Sequence, residues 1–204
     1  HANLGRGLHF DPAPDSPREF VEAQQRLFEQ LLPRPEAERK ETLRKKIREL
    51  FDFNGFARKS IGRRWNQWTP EQQTEFQQLL RDLLENLCLT HSNEIFRSHQ
   101  LRLGPETRSE DRATVSGSFA QDEVDIEVDL HLRLGENGWR VEDVVVDRLS
   151  LLESYQSQFN AYLAEHSASD LFTLLRERLR PGTDTTAPSP TPAGEKEPTG
   201  QTQP

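Results

Sequence analysis

The chain has 204 residues, 33% hydrophobic and 29% charged, which predicts one soluble domain with a single core. Its formal net charge of −8 argues against nucleic acid as the main partner, and no apolar run approaches the roughly 18 residues that an integral membrane helix needs. The single cysteine, Cys88, excludes an internal disulfide and a cysteine-based metal cluster.

The N-terminal half carries the signals of helices. Ser16 stands before a proline and three residues ahead of Glu19, which predicts a helix start with a capping box. A second amphipathic helix is expected after Pro35. Thr69 and Gln72 repeat the first signal, so a long helix is expected to begin there.

Further along, the pattern changes to a period of two. Residues 124–132 alternate apolar and polar side chains without exception, which predicts a strand with one dry face and one wet, mostly acidic face. Four strands are expected, at residues 95–103, 112–119, 123–134 and 139–146, with turns at residues 104–105, 120–122 and 135–138. Short links between consecutive strands predict an antiparallel meander.

Two more helix starts follow the strands, at Ser150 with Glu153 and at Ser167 with Asp170. The order is therefore helices, sheet, helices. Elements segregated in this way indicate an α+β domain in which helices cover one face of an antiparallel sheet.

The composition also divides the chain. Residues 16–180 are expected to form the domain, and residues 1–15 an N-terminal extension. Residues 181–204 hold proline, threonine, glycine and charge without aromatic or branched aliphatic side chains, which predicts a disordered tail.

No catalytic or metal-binding residue is predicted. His131, Asp143 and Asp147 lie on strands that could be neighbours, and an acid–base pair inside a cup-shaped sheet is conceivable. His131 falls on the wet face with Asp125 and Glu127, however, and a solvated face explains all three residues. The histidines are scattered and lack second ligands at helical or hairpin spacing.

The apolar side chains are the more informative set. Aromatic residues such as Phe53, Phe76 and Phe159 on helices are expected to face Val115 and Ile126 on strands. A plain packed core is the ordinary explanation for such a set. The residues alone do not distinguish a core from a pocket.

Two ordered blocks of residues add a further indication. The first comprises Phe51-Asp52-Phe53, Ile61-Gly62, Trp65, Thr69-Pro70-Glu71-Gln72-Gln73 and Phe76. The second comprises Trp139-Arg140-Val141-Glu142-Asp143-Val144, Leu149-Ser150-Leu151-Leu152 and Tyr155-Gln156-Ser157-Gln158-Phe159. In order and separation, the two blocks resemble the MlaC-type family, periplasmic phospholipid-binding proteins also described as toluene-tolerance or auxiliary transport proteins. The resemblance runs from about residue 16 to residue 180.

Three positions depart from the family pattern. Glu142 stands where the family usually has Tyr, Arg148 where it usually has Gly, and Gln156 where it usually has Arg. The chain is therefore expected to be a divergent member, with differences at the pocket rim or the partner surface.

The resemblance implies a highly curved, cone-like antiparallel sheet of about four strands, related to nuclear-transport-factor-like folds. It also implies that N- and C-terminal helices clamp the sheet around an apolar cavity that takes the acyl tails of a phospholipid. The candidate lipid-binding residues are Phe53, Phe56, Trp65, Phe76, Leu80, Val115, Phe119, Val124, Ile126, Val128, Leu130, Val144, Val146, Tyr155 and Phe159.

The implied role is a carrier without a cofactor, whose cargo is a phospholipid. It would move lipid between an outer-membrane lipoprotein complex and an inner-membrane ABC transporter with a mammalian-cell-entry domain subunit. The chain begins at His1 and contains no Met, so it is expected to be a cleaved or an excerpted chain: removal of an export signal, as in a periplasmic protein, explains this start, and an arbitrary boundary explains it as well. Two alternatives stay open: an enzyme of the same cone architecture acting on a small apolar substrate, and a non-catalytic interaction module with a filled core.

Overall fold

In the computed structural model of the chain, residues 16–98 and 101–182 are described, residues 91–98 by their backbone course alone. The N-terminal extension and nearly all of the tail predicted from the sequence lie outside the described residues. The elements are α1 (Pro17–Leu31), α2 (Glu36–Leu50), α3 (Phe53–Ile61), a 3₁₀ helix (Gly62–Gln67), α4 (Pro70–Ser98), β1 (Arg102–Ser109), β2 (Arg112–Gln121), β3 (Val124–Gly135), β4 (Gly138–Val146), β5 (Leu149–Ser150), α5 (Leu151–Glu165) and α6 (Ala168–Arg178).

The helices begin where their caps predict. The Ser16 hydroxyl accepts a hydrogen bond of 3.1 Å from the Glu19 N–H, and the Glu19 carboxylate accepts one of 3.2 Å from the Ser16 N–H. Thr69 and Gln72 form the same reciprocal pair at the start of α4. These bonds satisfy backbone donors that have no partner inside the helix, so residues within one turn determine where each helix begins.

The five strands of the described part form one antiparallel sheet in the order β1-β2-β3-β4-β5. The α+β class and the meander are confirmed. The sequence predicted four strands; the fifth, β5, is a two-residue strand that pairs with the end of β4.

The predicted first strand is wrong. α4 continues to Ser98, and β1 begins only at Arg102, because a short apolar stretch fits a helical period as well as an alternating one. Gly104 and Pro105 form no turn either: they lie inside β1, where the register shifts between Leu103 and Glu106. Proline has no N–H to donate to a ladder, and an edge strand with a bulge tolerates it.

The buried apolar residues form two clusters. A helical cluster unites residues of α2 to α6 around Phe76, whose ring centroid lies 5.5 Å from that of Phe159. A sheet cluster contains Val21 of α1 and residues of β2, β3 and β4, with Trp139 3% exposed. Compact domains usually have one contiguous core, so this division indicates two layers that meet along a seam.

Phe51 lies at that seam. Among the described residues, it is the one that packs against both clusters. Its neighbour Asp52 donates its N–H to the Val141 carbonyl oxygen at 3.0 Å, which fixes the link between α2 and α3 to β4. α1 packs on β1 and β2, whereas α2, α3 and α5 pack on β4.

Candidate lipid-binding face

The apolar face of the sheet is built from cross-strand rows, since paired residues of neighbouring strands share a face. One row joins Val115, Leu130 and Val144. The next runs through Gly117, Val128, Val146 and Leu149, and a third joins Phe119 with Ile126. Val124 lies beyond the third row, where it pairs with Gln121.

Side chains on this face become more exposed with distance from the sheet cluster. Val115 is 1% exposed and Val128 is 7% exposed, whereas Val146 is 39% and Val124 59% exposed. Phe119 and Ile126 are half-buried. We call Phe119, Val124, Ile126, Val128, Val146 and Leu149 the distal strip, because they continue the apolar face beyond both clusters.

The opposite face of β3 is polar, as the alternation predicts. Asp125, Glu127 and His131 are exposed. Val124 differs from its expected buried state because it lies at the end of β3, next to the turn, where little packs over it. Inside the strand the alternation holds, and Val128 and Leu132 are buried.

The candidate residues fall into three groups. Seven lie in the helical cluster: Phe53, Phe56, Trp65, Phe76, Leu80, Tyr155 and Phe159. Three belong to or pack on the sheet cluster, namely Val115, Leu130 and Val144. The other five belong to the distal strip: Phe119, Val124, Ile126, Val128 and Val146. The structure therefore does not unite the whole set in one cluster, and the seven helical residues pack against one another.

Sequence reasoning missed two features of this face. Leu149 is 58% exposed and extends the row of Val146 onto β5. Gly117 leaves room for Leu101, whose Cδ1 and Cγ would lie 3.0 Å from a Cβ at that position. A glycine inside a predicted strand is a signal of such a close approach.

A buried ionic group joins the sheet to the helices. Glu142 is 7% exposed, and its carboxylate accepts hydrogen bonds from Lys59 of α3 and Arg112 of β2, both at 3.1 Å. His131 of β3 pairs with Asp143 of β4, and Leu132 pairs with Val141. Glu142 is therefore an extra residue of β4 without a pairing partner on β3, which makes a β-bulge. The bulge therefore positions this carboxylate between two cations.

An enzyme of this architecture would need His131 or Asp143 inside the cup of the sheet; His131 is exposed, so the candidate left is Asp143. It is 9% exposed, and its carboxylate accepts hydrogen bonds from the Ser150 hydroxyl at 2.5 Å, the Val144 N–H at 2.8 Å and the Leu152 N–H at 3.0 Å. These contacts fasten β4 to the first turn of α5. They describe a structural carboxylate.

A third buried carboxylate lies within the helical layer. Glu85 of α4 is 1% exposed and is paired with Arg44 at 3.2 Å and Arg48 at 2.9 Å, both on α2. The hydrogen bond to Glu85 raises the pKa of Arg48. Burial, followed by the charge of Glu85, raises the pKa of the nearby Cys88 thiol to about 11, so the thiol is protonated at neutral pH.

The described residues contain no group of three or more His, Cys, Asp and Glu side chains that could hold a metal ion. No helix in the same part of the chain is long and apolar enough to cross a membrane.

A family model, the MlaC protein, matches residues 21–177. The chain belongs to the MlaC family. Among solved structures, the chain is similar to a phospholipid-binding protein from Ralstonia solanacearum, solved in complex with a phospholipid. The TM-score is 0.65 at 22% sequence identity, and the match covers 81% of this chain and 97% of that chain. No curated protein sequence matches.

The positions that depart from the MlaC family pattern have clear structural settings. Arg148 has φ +68° in the turn between β4 and β5, a conformation that suits the glycine usual in the family. Gln156 donates from Nε2 to the Lys59 carbonyl oxygen at 2.9 Å, and Glu142 binds the Lys59 ammonium. Two of the three departures therefore meet at one residue.

Proposed function

We propose that the protein is a phospholipid carrier of the periplasm that holds acyl tails against the apolar face of its sheet. The observation that carries this proposal is the distal strip, an apolar continuation of the sheet that neither cluster covers. Family membership and the phospholipid bound to the Ralstonia solanacearum protein support the same cargo.

The dimensions of the face suit an acyl chain. From Val124 to Leu130 the face extends over seven residues of β3, which are six steps of the strand, or about 20 Å at its usual rise. One leaflet of a bilayer core is about 15 Å thick, which is the length an acyl chain spans there. The face is therefore long enough to accompany one tail over its whole length.

We propose that the tails extend from the distal strip toward the seam between the two clusters. Leu130 and Val144 on the sheet are half-buried, and Phe51 links the sheet to the helical cluster. A two-chain lipid with roughly 30 methylenes costs on the order of 20 kcal/mol to hold in water, at about 0.8 kcal/mol per methylene. An apolar seam removes most of that cost without covalent chemistry, so a carrier needs no catalytic residue.

We further propose that the carrier moves lipid between an outer-membrane lipoprotein complex and an inner-membrane ABC transporter with a mammalian-cell-entry subunit. The bilayer and the protein interior are both apolar, so exchange between them is nearly balanced. A direction of transport then has to come from the partners or from ATP hydrolysis in the transporter.

Native mass spectrometry of the purified full chain, followed by lipid extraction, tests the proposal. We expect one mass increment that matches a phospholipid and disappears after delipidation, and we expect the delipidated chain to take up lipid from vesicles. A chain that carries no phospholipid and takes up none would overturn the carrier function.

A further inference from the structure

Two turns lie at the same end of the sheet. One, residues 122–123, joins β2 to β3, and the other, residues 147–148, joins β4 to β5. The Asp147 N–H donates to the Glu127 carbonyl oxygen at 2.8 Å, so the second turn lies directly against β3. We call this region the hairpin end.

The hairpin end exposes large apolar side chains. Val124 is 59% exposed, Leu149 58% and Val146 39%, and Val146 and Leu149 are cross-strand partners. Val146 also pairs with Val128, which places it beside β3. A contiguous apolar patch on a water-exposed surface is typical of an interaction site.

Acidic residues border this patch. The two turns carry three carboxylates, on Asp122, Glu123 and Asp147, against one guanidinium group on Arg148, which gives a local net charge of −2 (1 − 3). Anionic bilayer surfaces repel such a border, whereas Lys and Arg side chains on a protein attract it and steer its approach.

We propose that the hairpin end is a docking surface for a partner protein whose apolar patch is bordered by Lys and Arg, and that lipid passes there from protein to protein. This inference rests on the proposed carrier function, because the distal strip leads from the sheet face to the hairpin end. It adds the location of docking and the chemistry of the partner.

The test measures binding of the full chain to the purified mammalian-cell-entry subunit and to the purified outer-membrane lipoprotein of the same organism. An apolar variant, Val124→Ser with Leu149→Ser, removes the patch. A charge variant, Glu123→Lys with Asp147→Lys, reverses one carboxylate in each of the two turns. The matched control, Glu110→Lys with Glu136→Lys, reverses two exposed carboxylates at the opposite end of the sheet, and Glu110 shares the positive φ of Glu123, +54° against +63°.

We expect both hairpin-end variants to weaken binding to at least one of the two proteins by about tenfold or more, and the control to change it less than about twofold. The effect of the charge variant should shrink at about 0.5 M salt, where the Debye length is only a few ångströms. Wild-type chain should not float with vesicles of phosphatidylethanolamine and phosphatidylglycerol.

Several results would overturn the inference. They are equal binding by all variants, absence of wild-type binding to both proteins, vesicle binding that depends on Val124 and Leu149, and self-association that depends on them. Lipid content distinguishes a failure of this inference from a failure of the carrier function. If the variants hold lipid normally and also bind the partner proteins as tightly as wild type does, only the docking surface is overturned.

Discussion

Lys59 Nζ lies 3.1 Å from Glu142 Oε1, while the carbonyl oxygen of the same lysine accepts a hydrogen bond from Gln156. One residue of α3 therefore holds both the bulge of β4 and the middle of α5. Lys59 is 28% exposed and Glu142 7%, so the pair is only partly hydrated.

Glu142→Gln should lower the free energy of unfolding by about 1–2 kcal/mol, because it leaves Lys59 without its charged partner in a partly buried site. Arg112→Gln is the matched control: Arg112 is 57% exposed and stays hydrated, so its loss should cost less than about 1 kcal/mol. Urea denaturation of the two variants gives the comparison. A larger loss in Arg112→Gln would contradict this explanation.

The alternation of β3 predicts opposite outcomes at adjacent positions. Val128→Glu places a charge at a position that is 7% exposed and should cost several kcal/mol, and Ile126→Asp should lower the copurified phospholipid. Glu127→Gln, on the exposed face, should change stability by no more than about 0.5 kcal/mol. Lipid content and melting temperature are measured on all three. If lipid content and stability are unchanged throughout, the strand does not contact the cargo.

Cys88 should react slowly while the chain is folded. Its pKa of about 11, against 9.0 for a free thiol, lowers the thiolate fraction at pH 8 roughly 100-fold, since each pKa unit is a factor of ten. Maleimide labelling of Cys88 should therefore be at least about 100-fold faster in urea than in native buffer. Thr90→Cys in a Cys88→Ser background, at an exposed position two residues further on, should label rapidly without urea. Equal native rates at both positions would show that Cys88 is not protected.

Asp170 should make the start of α6 sensitive to acid. Hydrogen bonds from the Ser167 backbone, and then from its hydroxyl, hold the pKa of Asp170 below its usual 3.8. A depressed pKa contributes stability above the unfolded-state value, and that contribution is lost as the pH falls through the folded-state value. Asp170→Asn should therefore be less stable than wild type at pH 7 and equally stable at about pH 2. Glu136→Gln, an exposed turn carboxylate, is the control, and a difference for Asp170→Asn that persists in acid would argue against ionisation as its cause.

Arg148 occupies a glycine-like conformation, with φ +68°. A side chain there costs about 1 kcal/mol through contact of its Cβ with the backbone, a cost that glycine avoids. Arg148→Gly should therefore be more stable than Arg148→Ala by about 1 kcal/mol. Thermal melts of the two variants measure this difference, which does not depend on the lost guanidinium. Equal melting temperatures would mean that the turn carries no such strain.

Local signals in the sequence were sufficient for much of the fold. Ser16, Thr69 and Ser150 each bond to a backbone N–H three residues later, so their helices start as predicted. The polar and apolar faces of β3 follow from a period of two, which every strand shares. The order of helices and strands, together with the two motif blocks, also indicated the α+β class and the family.

Tertiary structure decided what depends on which surfaces meet. The partners of Glu142 lie 83 and 30 residues away in the chain, so no local pattern could reveal its ion pairs. The end of α4 and the place of Pro105 inside an edge strand depend on which strands pair, because the same residues fit either local structure. Likewise, the apolar residues of the sequence separate into a filled helical cluster and a partly uncovered sheet face. Hydrophobicity determines that a side chain leaves water, but only the packing of distant elements determines what covers it.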